Sequence, residues 1–270
     1  MGATAASSSP SSVADASLVT WQRHGAIGVM TLNHPSRRNV LSRAMLSALK
    51  VRIQEASADR SLKCLILAAR GTAFCAGHDL GEIIGAEPAA LGSLFGLCAE
   101  VMEAIRLAPQ PVIGQVQGIA TAAGCQLAAT CDLVVAAETA TFATPGVKIG
   151  LFCTTPAVAL SRAVPTKKAL EMLFTGEPIT AAEAERVGLV NRVVPAAQLE
   201  EVARQLAERI VGYSGATLAH GKRAFYEQLA LDRPEAYALA SACMVENAQQ
   251  PDAAEGMRAF LEKRPPRFQH

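Results

Sequence analysis

Two loops carry the residue types that could do chemistry. Gly71 to Leu80 reads GTAFCAGHDL and Gly118 to Leu127 reads GIATAAGCQL, and each follows an apolar strand and precedes a helical pattern. A strand-to-helix turn presents backbone N–H groups that no helical carbonyl accepts. The partial positive charge there favours an anion or a developing oxyanion. Small residues let a ligand approach the backbone closely, and equally they allow a strand and a helix to pack tightly with no ligand involved. Neither loop matches a Walker A or a G-x-G-x-x-G fingerprint. Among side chains, His78 lies on the first loop and titrates near neutrality. Cys153 offers a thiol, but no histidine accompanies it in a local pattern and a buried thiol is inert. Asp79 stands where a helix begins and reads as an N-cap rather than an acid. Glu100 and Glu103 fall on a helix face turned to solvent.

The elements around these loops can be read from hydrophobic periodicity. Leu18 to Gln22 and Ala26 to Leu32 form two short Val/Ile/Thr-rich runs separated by His24-Gly25, the pattern of a hairpin. Ser42 reads as the N-cap of a helix running to Ala58 with Leu46, Leu49 and Ile53 on one face. Lys63 to Ala69 is a continuous apolar run of strand length. Helix, strand, helix and strand then follow at Pro88 to Leu107, Pro111 to Gln117, Gly124 to Cys131 and Asp132 to Ala137. Such alternation predicts an α/β core with parallel strands. After Thr155 strands nearly cease, apart from Leu189 to Val194. The chain therefore divides into a lead-in over residues 1–17, an α/β core over 18–195 and a helical portion over 196–270.

Composition narrows the partners. The 270 residues are 50% hydrophobic and 18% charged with a net charge of +1, enough for a full core and too balanced to gather nucleic acid or an anionic membrane. The Ala/Ser-rich start, MGATAASSSPSSVADAS, contains no Lys or Arg and reads as a disordered lead-in rather than a secretory or mitochondrial signal. No apolar stretch of membrane-spanning length is expected. The expected compartment is cytoplasmic. Seven cysteines without CxxC spacing fit reduced thiols that pack as small hydrophobes, and no metal site is expected.

Taken together, the two loops resemble the crotonase (enoyl-CoA hydratase/isomerase) superfamily. The first matches the family's F-x-x-G-x-D-(L/I) at Phe74, Gly77, Asp79 and Leu80. The second follows its G-x-x-x-G-G-G-x-E from Gly118 to Gln126. The likeness continues through Cys131-Asp132-Leu133, Phe142, Pro145, Gly150, Leu173 to Glu177, Ala182, Ala184 and Gly188-Leu189-Val190. It implies a ClpP/crotonase-like spiral of ββα units with a helical C-terminal region that mediates assembly into trimers or dimers of trimers. It also implies an acyl-CoA thioester as ligand and no cofactor beyond the CoA moiety of the substrate.

The resemblance places the backbone N–H groups of His78 and Ala123 on the thioester oxygen as it gains enolate character. It puts Cys75, Ala76, Gly77 and His78 beside CoA, with Arg37 or Arg38 near its phosphates. The two glutamates that hydratases use correspond to Gln126 and Gly146. An amide has no useful basicity and glycine has no side chain, so ordinary hydration is not expected. Substitute groups near these positions are His78, Cys125, Thr144, Cys153 and Thr154, and a decarboxylating member of the family carries histidine where His78 stands. Enolate chemistry other than hydration, such as decarboxylation, isomerisation or thioester hydrolysis, is one reading; weak hydratase activity and a non-catalytic acyl-CoA-binding protein are the others.

Overall fold

The computed structural model describes residues 18–269; the lead-in, Met1 to Ser17, lies outside them. Strands β1 (Val19–His24) and β2 (Ile27–Leu32) form the expected hairpin, with Val19 opposite Leu32 and Gly25 turning at φ +61°. Helix α1 (Arg43–Ala58) starts where Ser42 Oγ accepts the Met45 N–H at 3.2 Å, and it buries Met45, Leu46, Leu49 and Ile53. Strands β3 (Cys64–Ala69) and β4 (Ala73–Cys75) then lead to α2 (Pro88–Leu107), and β5 (Val112–Val116) and β6 (Ile119–Thr121) lead to α3 (Ala123–Thr130). Next come β7 (Leu133–Ala137), β8 (Thr141–Ala143) and the helices α4 (Thr154–Ala163) and α5 (Thr166–Thr175).

The chain continues through β9 (Ile179–Thr180), α6 (Ala181–Arg186) and β10 (Arg192–Val194). Its last helices are α7 (Leu199–Val211), α8 (Gly215–Gln228), α9 (Arg233–Ala248) and α10 (Pro251–Leu261). Among the described residues the ten strands make two sheets, ordered β1-β2-β3-β5-β7-β10 and β4-β6-β8-β9. Consecutive strands β3 and β4, β5 and β6, β7 and β8 each divide between the two sheets before the chain moves on. This is the ββα spiral that the resemblance implies. Every pairing from β2 to β10 in the larger sheet is parallel.

The β3 run CLILAA is apolar throughout because both faces of its sheet are covered. Leu65 and Leu67 enter the main core with Leu46, Leu49 and Val101, whereas Cys64 and Ile66 face Leu199, Ala203 and Ala207 of α7. The second sheet departs from expectation. The segments Gly71 to Leu80 and Gly118 to Leu127, which read as plain strand-to-helix turns, each contain a three-residue strand. Runs this short carry no detectable period.

Helix α2 also corrects an expectation, since its 20 residues are long and apolar enough by composition to cross a membrane. Its stripe of Leu94, Cys98, Val101, Met102 and Ile105 is instead buried in the main core, and Glu100 and Glu103 lie exposed, bridging to Lys50 and Arg106. All seven cysteines are free and buried.

Helix α8 is tied to the core by a buried charge network. Lys222 Nζ donates to the carbonyls of Ile105 and Gln110, each at 3.0 Å, and to Asp132 Oδ2 at 2.6 Å, so all the ammonium donors are used. The Tyr226 hydroxyl donates to Asp132 Oδ1 at 2.8 Å, and the Val112 N–H donates to Oδ2 at 2.7 Å. Ser214 Oγ, which caps α8, donates to the buried Asp252 at 2.6 Å and links α8 to α10. Beyond these anchors α9 and α10 carry much exposed apolar surface, including Tyr237, Met244, Phe260 and Leu261.

Candidate active site

The two loops singled out by sequence lie against each other. A Cβ at Gly77 (φ +87°) would stand 2.9 Å from Ala122 Cβ, 3.1 Å from Thr121 O and 3.3 Å from Ala123 N. Gly124 is pressed onto the Cys75 carbonyl and Gly118 onto the Thr72 carbonyl, so close that neither admits a Cβ. Of the two roles left open by the sequence, Gly118 and Gly124 serve tight packing. The first loop is stitched to the segment before α1, because the Leu41 N–H donates to Gly77 O at 2.8 Å and the Ala76 N–H to Arg38 O at 3.0 Å. Arg38 and Asn39 reach this register with φ of +52° and +53°. Asn39 is fully buried, and its amide donates to Arg70 O and Ala73 O at 2.9 Å.

Ala122 holds φ +51° and ψ −120° immediately before α3, a region that disfavours any side chain. Its N–H donates to Ala143 O at 2.9 Å and its carbonyl accepts the Gln126 N–H at 3.1 Å. Ala123 is therefore the first residue of α3, with a backbone N–H that no helical carbonyl can accept. Among the described residues, no backbone or side-chain acceptor takes the N–H of Ala123 or of His78.

Both residues line a cavity of about 520 Å³, together with Ala76, Gly146 and Cys153. Its walls are otherwise mostly apolar, and no Asp or Glu is among them. Gln126 stands behind the wall, buried, with Oε1 unpartnered. Thr144 Oγ1 is likewise buried without a partner. Cys75, Gly77, Arg37 and Arg38 do not line the cavity. The Arg37 guanidinium is held by Asp79, with Nη1 to Oδ2 at 2.8 Å and Nη2 to Oδ1 at 3.0 Å. Asp79 also accepts the Gly81 N–H at 3.0 Å, the capping role expected of it, although the helix it caps is the single 3-10 turn Leu80–Glu82.

His78 has a defined tautomer. Its Nδ1 lies 3.2 Å from the Leu41 carbonyl; a carbonyl can only accept, so Nδ1 carries the proton. Nε2 is then the bare nitrogen, and it is buried with no partner. The ring meets Phe95 edge to face at 5.3 Å. Burial holds the imidazole below its ordinary pKa, opposed by the Leu41 carbonyl and Glu82, so the ring is neutral at pH 7. Cys153 is pushed up by burial, opposed by the Gly146 N–H that donates to its Sγ at 3.3 Å. Burial carries Cys125 up to about 12. Both thiols stay protonated at neutral pH, which works against Cys153 as a nucleophile.

Gly146 does more than lack a side chain. A Cβ there would collide with the Leu151 carbonyl oxygen and stand 2.8 Å from Cys153 Sγ, because the chain folds back with the Leu151 N–H donating to Gly146 O at 3.0 Å. The place of a side chain at 146 is filled by the protein itself. Sequence reasoning missed the apolar rim supplied by this same turn, Ile149, Leu151 and Phe152, which line the cavity and are 63%, 42% and 41% exposed. Three large hydrophobes within four residues, Ile149 to Phe152, between Pro145 and Pro156 were the available signal.

Two touching glycine-rich loops at an apolar cavity, set in a ββα spiral, define a protein of the crotonase type. The family profile for enoyl-CoA hydratase/isomerase matches residues 22–270, and the chain belongs to that family. It is 49% identical over 254 residues, 94% of its length and 85% of the relative's, to enoyl-CoA hydratase domain-containing protein 3, mitochondrial, of Rattus norvegicus. The crystal structure of human enoyl coenzyme A hydratase domain-containing protein 3 superimposes with a TM-score of 0.90 at 46% identity, covering 93% of this chain and 100% of that one. An enoyl-CoA hydratase structure from Mycobacterium smegmatis gives 0.92 at 46% identity over 94% and 99%. The names of the rat and human relatives place those proteins in mitochondria, which lends no support to the cytoplasmic expectation for this chain.

Proposed function

We propose that the chain binds an acyl-CoA thioester and stabilises its enolate through the backbone N–H groups of His78 and Ala123, without catalysing ordinary hydration. The observation that carries this reading is the pair of unaccepted N–H groups on touching loops at a cavity whose walls hold no carboxylate. A backbone donor works whatever its side chain, and one such donor is typically worth about 3 kcal/mol of transition-state stabilisation. Hydration also requires a base for water and an acid for the α-carbon. Gln126 supplies neither, and the turn behind Gly146 leaves no room for a carboxylate. Decarboxylation needs no such base, because the electrons of the broken C–CO2 bond form the enolate; isomerisation and thioester hydrolysis each require a proton acceptor, for which His78 is the candidate, and hydrolysis places a tetrahedral oxyanion rather than an enolate on the same N–H groups. In this reading Cys75, Ala76 and Gly77 flank CoA, and Arg37 reaches a CoA phosphate by exchanging Asp79 for it. The exposed side chains of α9 and α10, such as Tyr237, Met244 and Phe260, are proposed to be covered by a second copy in a trimer or dimer of trimers.

The second reading, a non-catalytic acyl-CoA binder, is favoured by one observation: the bare Nε2 of His78, the histidine that lines the cavity, is buried away from solvent. Deuterium exchange at the α-carbon of a saturated acyl-CoA separates the two. Exchange catalysed by the protein and lost in Gly77→Ala supports the enolate site. Binding without exchange and without release of CO2 from a malonyl-type CoA leaves the binder, and absence of acyl-CoA binding refutes both.

A further inference from the structure

Helices α8 and α9 bring three side chains together that the acyl-CoA site does not use. One ring nitrogen of His220, the Cys243 sulfur and a Glu246 carboxylate oxygen all lie within 4.8 Å of one another. Cys243 and Glu246 are three residues apart on α9 and so share one face, and His220 stands opposite on α8. We propose that this cluster is a binding site for a borderline-soft divalent ion of the zinc type, with His220 Nδ1, Cys243 Sγ and a Glu246 carboxylate oxygen as ligands.

The histidine is already oriented for ligation. Its Nε2 lies 2.9 Å from the Cys243 carbonyl, which can only accept, so Nε2 carries the proton and Nδ1 presents the lone pair. Metal-bound histidines are ordinarily fixed in this way by a hydrogen bond from the other ring nitrogen. A cation already lies against the cluster: Arg223 Nη2 is 3.4 Å from His220 Nδ1 and 3.6 Å from Glu246 Oε2. The side chains of Arg223 and Glu246 are 54% and 60% exposed, so the guanidinium can swing into solvent when an ion arrives.

Metal–ligand lengths of about 2.0–2.3 Å in a tetrahedral site bring ligands to roughly 3.3–3.8 Å from one another, a contraction that the exposed Glu246 side chain can supply. Ligation converts the Cys243 thiol to thiolate, so one proton leaves the thiol for each ion bound. Three protein ligands leave a fourth position to water. Cys243 is the only buried residue of α9, so the ion pins to α8 a helix that has little other anchorage.

The full-length chain titrated with Co²⁺, and separately with Zn²⁺, tests this. One equivalent of Co²⁺ per chain should bind with a near-ultraviolet thiolate-to-metal charge-transfer band and release one proton. Cys243→Ser should abolish the band, His220→Ala and Glu246→Gln should each weaken binding tenfold or more, and Arg223→Gln should tighten it severalfold. Glu246→Gln changes an exposed position and tests the site even if the buried Cys243 variant fails to fold. No charge-transfer band in the unmodified chain overturns the proposal, as does wild-type affinity in both His220→Ala and Glu246→Gln. Acyl-CoA binding, measured in parallel, should be the same with and without the ion.

Discussion

The Gly146 turn gives the sharpest prediction. If the obstacle were only a missing carboxylate, Gly146→Glu would add a group to open space and Gly146→Ala would be harmless. The geometry requires otherwise. The offending atom is Cβ, which any residue other than glycine would bring, and the atom it strikes is the Leu151 backbone carbonyl, which cannot rotate away as a side-chain tip could. Overpacking of this kind costs about 3 kcal/mol when the backbone must shift. At roughly 2–4 °C per kcal/mol for a chain of this size, the melting temperature should fall by roughly 6–12 °C. Alanine and glutamate should be nearly equivalent, because the shared Cβ carries the penalty. Cys153→Ala should not rescue either, since it relieves the 2.8 Å contact and leaves the carbonyl in place. The assay is calorimetry of Gly146→Ala and Gly146→Glu, each with and without Cys153→Ala, with crotonyl-CoA hydration followed by loss of conjugated-enoyl absorbance in Gln126→Glu/Gly146→Glu. An unchanged melting temperature in Gly146→Ala, or efficient hydration by the double variant, would refute the reasoning.

Ala122→Gly should raise stability by about 1 kcal/mol, seen in a urea melt, because glycine accepts φ +51° and the strain removed exceeds the entropy it adds. His78 is held neutral by burial, so between its unfolded pKa near 6.5 and its lower folded value the unfolded chain binds more protons. Stability should therefore fall as pH drops below about 6.5, and urea melts of His78→Gln between pH 5 and 7.5 should lack that component. Lys222→Ala leaves the mostly buried Asp132 carboxylate without its cation and should cost about 3–5 kcal/mol by chemical denaturation. Removing the exposed Lys50–Glu100 pair should cost under about 1 kcal/mol.

The larger sheet and its helices were legible because their periods are strong. Ser42 capped α1, the run at 63–69 became β3 one residue later, and Pro88 to Leu107 matched α2 at both ends. Strands of three residues could not be seen, so the second sheet went unread. At the site, the two loops and the positions of His78, Ala123, Gly146 and Cys153 on one cavity followed from sequence and resemblance. What sequence could not convey is contact across the turn at 146–153, where a carbonyl five residues away occupies the place of a side chain. Nor could it show that Arg37 is engaged by Asp79, or that His220 faces Cys243 across two helices, since each pairing depends on tertiary approach.

The glycines at 118, 124 and 146 share one property: each has a backbone oxygen where its Cβ would be. Any side chain at these positions meets that oxygen at a substantial cost to folding, whereas the neighbouring rim residues Ile149 and Phe152 are surface-exposed and can change at little cost to folding. The rim of the cavity can drift by point changes, but the platform beneath it cannot. A carboxylate at 146 is reachable only by remodelling the whole turn from 146 to 153 in a concerted step.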